Sequence, residues 1–368
     1  MRYFIIAGER SGDLHASNLI RAIKKSDPEA EFFAWGGEMM ETAGATILKH
    51  YQAISFMGFF EVILNLRKIF KAIKDCKRDI DAIQPDVFIP VDFAGFNLKI
   101  AKYAVDKGIP VYYYISPKIW AWNQKRAFKI KRLVKHIFVI LPFEVSFYEK
   151  FGVKADYIGN PLLDAIAAFD PEAGFAEKNG LSGKSFIALL PGSRFQEVAA
   201  MKDEILPVIK NFSDHQFVVA AVSNLPKDVY DVFRQYKNVN VITDRTYDIL
   251  SLAEAAIVTS GTATLETALF SVPQLVVYKA SPVTYHIVKR LIRVPYISLV
   301  NLILGKEAVP ELIQKRFNAE IVSNKLDSIL KGEEREKQLS CYSELKSLMG
   351  EAGASEKAAK LIVSYLKK

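Results

Sequence analysis

The chain reads as an α/β protein built of two doubly wound, Rossmann-like domains facing each other across a cleft. Two observations predict this. Short apolar runs alternate with longer amphipathic stretches, the pattern of parallel strands joined by crossover helices. That alternation runs twice, with a polar interruption between the two series. At 368 residues there is room for two domains of ordinary size. Half of the residues are apolar and 24% charged, a composition that builds substantial cores.

In chain order, the first strands are expected at Arg2–Ala7, Glu31–Trp35, Asp86–Val91, Val111–Ile115 and His136–Leu141. Gly159-Asn160-Pro161 and the polar stretch Asp170–Lys184, with three glycines and little periodicity, then break the pattern. The second series is expected at Ser185–Leu190, Gln216–Val222, Val239–Thr243, Ala255–Val258 and Leu275–Tyr278. Glu333–Lys368 reads as helix, broken only at Gly350 and Gly353. These signals divide the chain into domains 1–165 and 166–340 and a tail, 341–368; that the tail packs back on the first domain is an expectation that residue spacing does not itself supply. In doubly wound sheets ligands bind at the carboxyl ends of the strands.

Several classes are excluded early. Two distant cysteines, Cys76 and Cys341, make no disulfide framework and fit a reducing cytosol. Met1–Gly8 is a short strand entering a polar loop, not a secretory signal. No apolar run approaches the roughly 20 residues that cross a bilayer. The first loop, Gly8-Glu9-Arg10-Ser11-Gly12-Asp13-Leu14-His15, lacks the G-x-G-x-x-G spacing of dinucleotide binders, and no P-loop occurs. Five histidines and two cysteines show no ligand spacing, so no metal site is expected.

Ser260-Gly261-Thr262-Ala263-Thr264-Leu265-Glu266 follows the apolar run Ala255–Val258 and reads as strand, tight turn and helix. The first amides of such a helix are unpaired and sit on the positive end of its dipole, a ready anion site. Glu266, one turn in, could accept hydrogen bonds from sugar hydroxyls. Gly192-Ser193-Arg194 leaves another strand and offers a guanidinium fork for a diphosphate. An ordinary connection, and a surface ion pair of Arg194 with Glu197, are the plain alternatives.

The first half offers acid–base candidates. Asp92 ends the run Val87–Val91 and should face the cleft, with Asn97 on the following helix turn, while Glu9, Asp13 and His15 crowd the first loop. A strand-terminal Asp fits a helix cap equally well, but several polar groups converging on one edge favour a reacting site. The net charge is +8. It concentrates at Arg67–Arg78 (Arg67, Lys68, Lys71, Lys74, Lys77 and Arg78 against Asp75) and at Lys118–His136, where seven basic residues meet no acidic one. Phe56, Met57, Phe59 and Phe60 precede the first cluster. An apolar anchor beside cations is the composition of a helix at a lipid surface, and a core helix is the alternative.

These motifs resemble one family from end to end. The chain is similar to the bacterial lipid-A-disaccharide synthases, inverting glycosyltransferases of the two-Rossmann GT-B fold. The resemblance lies in Ala7–His15, Phe56–Val62, Ser116-Pro117-Lys118-Ile119-Trp120-Ala121-Trp122, Gly159–Leu162, Leu190–Arg194, Ser260–Glu266, Asn301, and Pro310-Glu311-Leu312-Ile313-Gln314. The first loop and the SP-x-WAW segment are the diagnostic parts. The chain departs from the family at Phe93-Ala94-Gly95-Phe96-Asn97, where Pro-Asp or Pro-Gly is usual before Phe-Asn, leaving Asp92 as that loop's one carboxylate.

The resemblance implies transfer of 2,3-diacylglucosamine from its UDP derivative to the 6-hydroxyl of 2,3-diacylglucosamine 1-phosphate, in lipopolysaccharide biosynthesis. It makes the N-terminal domain the acceptor and lipid side and the C-terminal domain the UDP-sugar side. It implies Asp92 as base, with His15, Asp13 or Glu9 assisting. Gly192, Ser193, Arg194, Ser260, Gly261, Thr262, Ala263 and Thr264 would hold the diphosphate and Glu266 the ribose, with Asn301, Glu311 and Gln314 completing the donor pocket. No cofactor and no metal is implied, since Arg194 and the helix dipole can offset the leaving charge. The implied surroundings are the cytoplasm and, peripherally, the cytoplasmic face of the inner membrane, which Phe56–Phe60, Arg67, Lys68 and Lys71 would touch.

Another UDP-sugar enzyme of the fold, a hexosamine 2-epimerase or a peptidoglycan-precursor transferase, remains the nearest alternative. Nucleic-acid binding through Lys118–His136 with Trp120, Trp122 and Phe128 is a further one. It leaves the anion loops without a role, and no nucleic-acid partner is expected.

Overall fold

Apolar runs of five or six residues, buried on both faces, are what a parallel sheet covered by helices requires, and β1 (Arg2–Ala7) shows the pattern. Tyr3, Ile5 and Ala7 enter one core with Leu19, Ile20 and Ile23 of the helix Arg10–Ser26. Phe4 and Ile6 enter the opposite core with Ala72, Cys76 and Ile80 of the helix Leu66–Ile83 and Ile100, Ala101 and Ala104 of the helix Ala94–Asp106. The period of two thus splits one strand between two helical layers. The computed structural model describes residues 1–53 and 66–367, less the side chains of residues 66, 282–284, 287 and 288.

The chain divides into two units, Met1–Ala165 with Glu351–Lys368, and Ile166–Gly350. In the first, β1 is joined by β2 (Glu31–Gly36), β3 (Thr46–His50), β4 (Val87–Val91), β5 (Tyr112–Tyr114), β6 (His136–Val139) and β7 (Ala155–Tyr157). Their order is β3-β2-β1-β4-β5-β6-β7, parallel throughout. In the second, β8 (Phe186–Leu190), β9 (Gln216–Ala221), β10 (Val239–Thr243), β11 (Ala255–Thr259), β12 (Gln274–Tyr278) and β13 (Glu311–Ile313) lie in the order β10-β9-β8-β11-β12-β13. Each sheet reverses direction once, between β1 and β4 and between β8 and β11. Each therefore has one topological switch point, where the carboxyl-end loops splay apart and leave a crevice.

All ten expected strands form, with ends shifted by at most two residues. Three strands were not expected: β3, β7 and β13. All three are edge strands. The segments TILKH, ADY and ELI are short, and the first two are largely half-exposed, so they carry no continuous apolar run.

The tail requires a correction. The expected boundary at residue 341 falls inside the helix Glu333–Met349, which belongs to the second unit. Gln338 and Tyr342 of that helix share a buried hydrogen-bond network with Gln274 at the start of β12. Only after Gly350 does the chain rejoin the first unit. There Ala358, Ala359, Ile362 and Val363 of the helix Ala354–Leu366 complete its core, and Asp164 accepts from the Gly353 and Ala354 amides at that helix's start. Among the described residues no helix is long and apolar enough to cross a membrane.

Candidate active site

Register places the first group of candidates. Ala7 pairs with Val91, and Val91 with Tyr114, so the loops starting at Gly8, Asp92 and Ile115 leave the sheet side by side. Glu9 and Asp92 stand on either side of the β1/β4 switch point. Three non-glycine residues there have left-handed backbone, Asp92 (φ 42), Phe93 (φ 47) and Ile115 (φ 58). For a β-branched residue such as Ile115 this is a true outlier, and strain of this kind concentrates at functional sites.

The surroundings hold that turn in place. Asn97 Nδ2 donates to the carbonyls of Val91 (3.2 Å) and Asp92 (2.9 Å), and the Tyr113 hydroxyl donates to the Asp92 carbonyl at 2.5 Å. The Asp92 amide donates to Ile115 O at 3.2 Å, locking the two strained loops together. A Cβ on Gly8 would come within 2.4 Å of the Phe93 ring, so only glycine admits this close approach. The Asp92 side chain is left half-buried and in no ion pair among the described residues. Burial raises its carboxyl, Lys118 pulls it down, and the nearby Glu9 raises it further. A carboxylate with a raised pKa is a stronger base than an ordinary one.

His15 lies in the same neighbourhood. Burial lowers its imidazole against the pull of Glu9 and Asp164, and its buried Nδ1 has no hydrogen-bond partner among the described residues. Glu9 accepts from the Ser11 hydroxyl. Asp13 is not available for chemistry. Its Oδ1 accepts from the Gly37 and Met40 amides and its Oδ2 from Met39, at 2.7, 3.3 and 3.1 Å. It is a buried brace for the short helix Glu38–Thr42, so the assisting role expected of it is withdrawn.

Register likewise gathers the second group. Val258 pairs with Leu190, and the Thr259 hydroxyl donates to Pro191 O at 3.0 Å. The Gly192–Arg194 and Ser260–Thr264 loops thus flank the β8/β11 switch point. The helix Thr262–Leu269 begins after Gly261; the amides ahead of Thr264 open beside exposed Gly261 and Thr262, whereas the Thr264 amide donates to Gly261 O at 3.2 Å, a correction to its expected diphosphate contact. Thr264 instead turns inward, its hydroxyl on Gly261 O, and the Ser260 hydroxyl donates to Ile297 O. Ala263 is half-buried in the same turn.

The plain alternative for Arg194 is present. Its guanidinium donates to Glu197 Oε1 at 2.7 Å, and Glu197 Oε2 takes the amides of Ser193 and Arg194. The turn accommodates a carboxylate, an anion of the kind the loop is suited to hold. Gly192 has φ +99, the left-handed conformation that favours glycine.

Asn301, Glu311 and Gln314 have their side chains committed to backbone. Asn301 spends both amide hydrogens on Val309 O and Glu311 and its oxygen on the Ala308 and Val309 amides. Glu311 accepts from the Ile297 and Ser298 amides, and Gln314 pairs with both backbone groups of Ala280. Glu311, with Asn301 bonded to it, braces the loop that carries Ile297, on which Ser260 hangs, and Gln314 braces the chain after β12 at Ala280. The expectation of direct donor contact changes to one of supporting the wall.

Two residues were missed. Glu144 is buried, and its carboxylate takes four donors: the Ser116 hydroxyl and Trp120 indole on Oε1, the Ile140 and Leu141 amides on Oε2. It is the hub of the SP-x-WAW segment. Burial pushes its carboxyl up to about 7 against the pull of those donors. The available signal was Pro142 at the first helical turn with Glu144 two residues on, a helix-start pattern without its usual Ser or Thr. Tyr247 is the other, with its hydroxyl 2.9 Å from Glu266 Oε1. No local pattern marks it, because the contact joins two helices. The Trp120 indole is committed to Glu144 and its ring is buried, which removes it from the stacking surface that nucleic-acid binding would need.

The sequence model of the family described as lipid-A-disaccharide synthetase matches residues 3–364. The chain belongs to this family. A lipid-A-disaccharide synthase of Geobacter metallireducens is 36% identical to it over 375 residues, covering all of this chain and 98% of that one. Among solved structures, a UDP-GlcNAc 2-epimerase of Neisseria meningitidis bound to UDP-GlcNAc has a TM-score of 0.67 at 13% identity, with full coverage of both chains. Phytolacca americana UGT2, complexed with UDP-2fluoro-glucose and pterostilbene, has 0.65 at 14%, again over both full chains. At such identities the likeness is one of fold, the GT-B architecture. The synthase family, not the epimerase, is the one whose sequence this chain carries.

Proposed function

We propose that the chain is an inverting, UDP-sugar-dependent hexosyltransferase that makes the lipid A disaccharide. It moves 2,3-diacylglucosamine from UDP-2,3-diacylglucosamine to the 6-hydroxyl of 2,3-diacylglucosamine 1-phosphate. The observation that carries this is one family spanning residues 3–364, so that both sheets serve a single reaction. In the reaction Asp92 takes the proton from the acceptor O6 as that oxygen attacks the anomeric carbon. The bond from that carbon to the UDP oxygen breaks and its electron pair leaves with UDP. Inversion follows from one displacement, and no covalent sugar–enzyme adduct forms. His15, held neutral by burial, orients the acceptor, and Glu9 keeps the base strong.

Arg194 and the amides of Gly192–Ser193 and Gly261–Ala263 receive the diphosphate, Arg194 exchanging Glu197 for phosphate, while Thr264, whose amide is spent on Gly261 O, braces the turn. Glu266 receives the ribose, and Asn301, Glu311 and Gln314 brace the pocket. Incubating the protein with both lipid substrates should release UDP and disaccharide 1-phosphate in equal amounts; no product would overturn the reading. In steady-state kinetics Arg194→Ala should raise KM for the donor about tenfold, the scale of a lost charge-assisted hydrogen bond. An unchanged KM would confine Arg194 to its pair with Glu197.

The same proposal places the first domain peripherally on the cytoplasmic face of the inner membrane. Phe56, Met57, Phe59 and Phe60 lie outside the described residues, but Arg67, Lys68 and Lys71 are exposed on the helix Leu66–Ile83. Exposed Phe70 accompanies them, with Lys99 over its ring at 5.8 Å. Trp122 and Phe128 are also exposed, Arg126 lying 4.5 Å from the Trp122 ring. Burial and the crowding of Arg126, Arg132, Lys99 and Lys102 hold the Lys129 ammonium below its usual value, a field that anionic lipid would relieve. Replacing Phe70 and Phe128 by Ser should lower co-sedimentation with phosphatidylglycerol vesicles about tenfold or more, from the apolar area withdrawn. Unchanged partitioning would refute this surface.

A further inference from the structure

Tyr247 is a half-buried tyrosine that none of the chemistry above uses. It lies on the helix Thr246–Leu252, which follows β10, and its hydroxyl donates to Glu266 Oε1 at 2.9 Å. Its ring is held between Phe169, at 5.5 Å and edge-on, and Phe270, at 5.2 Å. Those two rings also meet each other, at 5.8 Å. Phe169 stands three residues beyond the start of the second unit at Ile166, so the clamp joins the entering chain, the Tyr247 helix and the end of the anion-loop helix. Glu266 takes no other donor among the described residues. A carboxylate accepts about four hydrogen bonds, and this one has a single donor, so Oε2 is left for a ligand.

We propose that Tyr247 is a positioning residue for nucleotide recognition: by pinning Oε1 of Glu266 it aims Oε2 at the ribose diol, and so makes the site discriminate a ribonucleotide from a 2′-deoxyribonucleotide. The inference rests on the reading of Glu266 as the ribose acceptor. Its physical basis is entropic and geometric. A free glutamate side chain has several rotamers, and fixing one beforehand removes the cost of ordering it on binding. A site built to hydrogen-bond a hydroxyl also penalises the analogue that lacks it, because its buried polar group then goes unpaired. Phe169 and Phe270 hold the tyrosine ring, so Tyr247→Phe keeps the packing and removes one hydroxyl.

The test is calorimetric binding of UDP and of 2′-deoxy-UDP to the full chain and to Tyr247→Phe and Glu266→Ala. The unaltered chain should prefer UDP by at least about tenfold, the scale of one hydroxyl hydrogen bond to a charged group. Tyr247→Phe should weaken UDP by several-fold, barely change 2′-deoxy-UDP, and collapse the ratio toward one. A merely structural tyrosine would weaken both nucleotides alike and leave the ratio intact, which would overturn the inference. If Glu266→Ala also keeps the full ratio, the ribose reading itself fails. If Glu266→Ala abolishes the ratio while Tyr247→Phe keeps it, the reading stands and the positioning role falls.

Discussion

Asp92→Asn should bind UDP as before and turn over about 10²–10⁴ times more slowly, the range of a lost general base. Asparagine is the informative substitution. Asp92 sits at φ 42, and asparagine tolerates left-handed backbone nearly as well as aspartate. The strained turn, its Asn97 and Tyr113 braces and the fold therefore survive while the basic oxygen goes. Asp92→Ala would add a backbone penalty of about 1–2 kcal/mol and blur the result. The pH–rate profile is a second readout. A base works only when ionised, so activity falls as pH drops through its pKa. Because burial and Glu9 raise that pKa, the acid limb should lie above the ordinary carboxylate range and vanish in Asp92→Asn. Normal turnover in that variant would eliminate Asp92 as the base.

Glu144→Gln should destabilise the first unit by about 3 kcal/mol, an expectation from setting an amide NH₂ against two buried donors. Whichever way the amide turns, it faces either Ser116 with Trp120 or the Ile140 and Leu141 amides. Thermal unfolding should report it as a fall in Tm of several degrees. The pH dependence has a definite sign. The folded carboxyl lies at about 7, above its unfolded value of 4.5. Its contribution is thus fully present below about pH 4.5 and is lost as pH rises through 7, amounting to about 3 kcal/mol by linkage. The gap in urea midpoint between the parent chain and Glu144→Gln should narrow from pH 5 to pH 8. A gap that widens instead would mean that the four donors outweigh burial and that the carboxylate is the preferred buried form.

How much of this was legible in the residues depends on range. The central strands were, because burial on both faces demands an uninterrupted apolar run, as in Val87–Val91. The edge strands β3, β7 and β13 were not, since one side of an edge strand meets no partner strand and its composition is freer. Asp92, Arg194 and Ser260–Thr264 were legible as strand-end and turn residues. Asp13 looked the same as Asp92 by that criterion, yet it caps a neighbouring helix 24 residues away. Asn301, Glu311 and Gln314 came from family resemblance, and only the hydrogen bonds show that they are spent on backbone. Glu144 carried a local helix-start signal, but its bonds to Ser116 and Trp120, like that of Tyr247 to Glu266, span 19 to 28 positions, beyond the reach of any local pattern.

The alternation of strands and helices, the doubling of that series and the chemistry at the strand ends are properties of local sequence, because hydrophobic period and turn residues act over a few positions. Which strand ends come together is different. Sheet order sets the two switch points, and register puts Ala7 beside Val91 and Val258 beside Leu190. Those pairings are long-range, set by how whole layers bury their faces. So the tertiary structure alone separates Asp92, left half-buried and in no ion pair among the described residues, from Asp13, whose identical carboxylate is taken by three backbone amides.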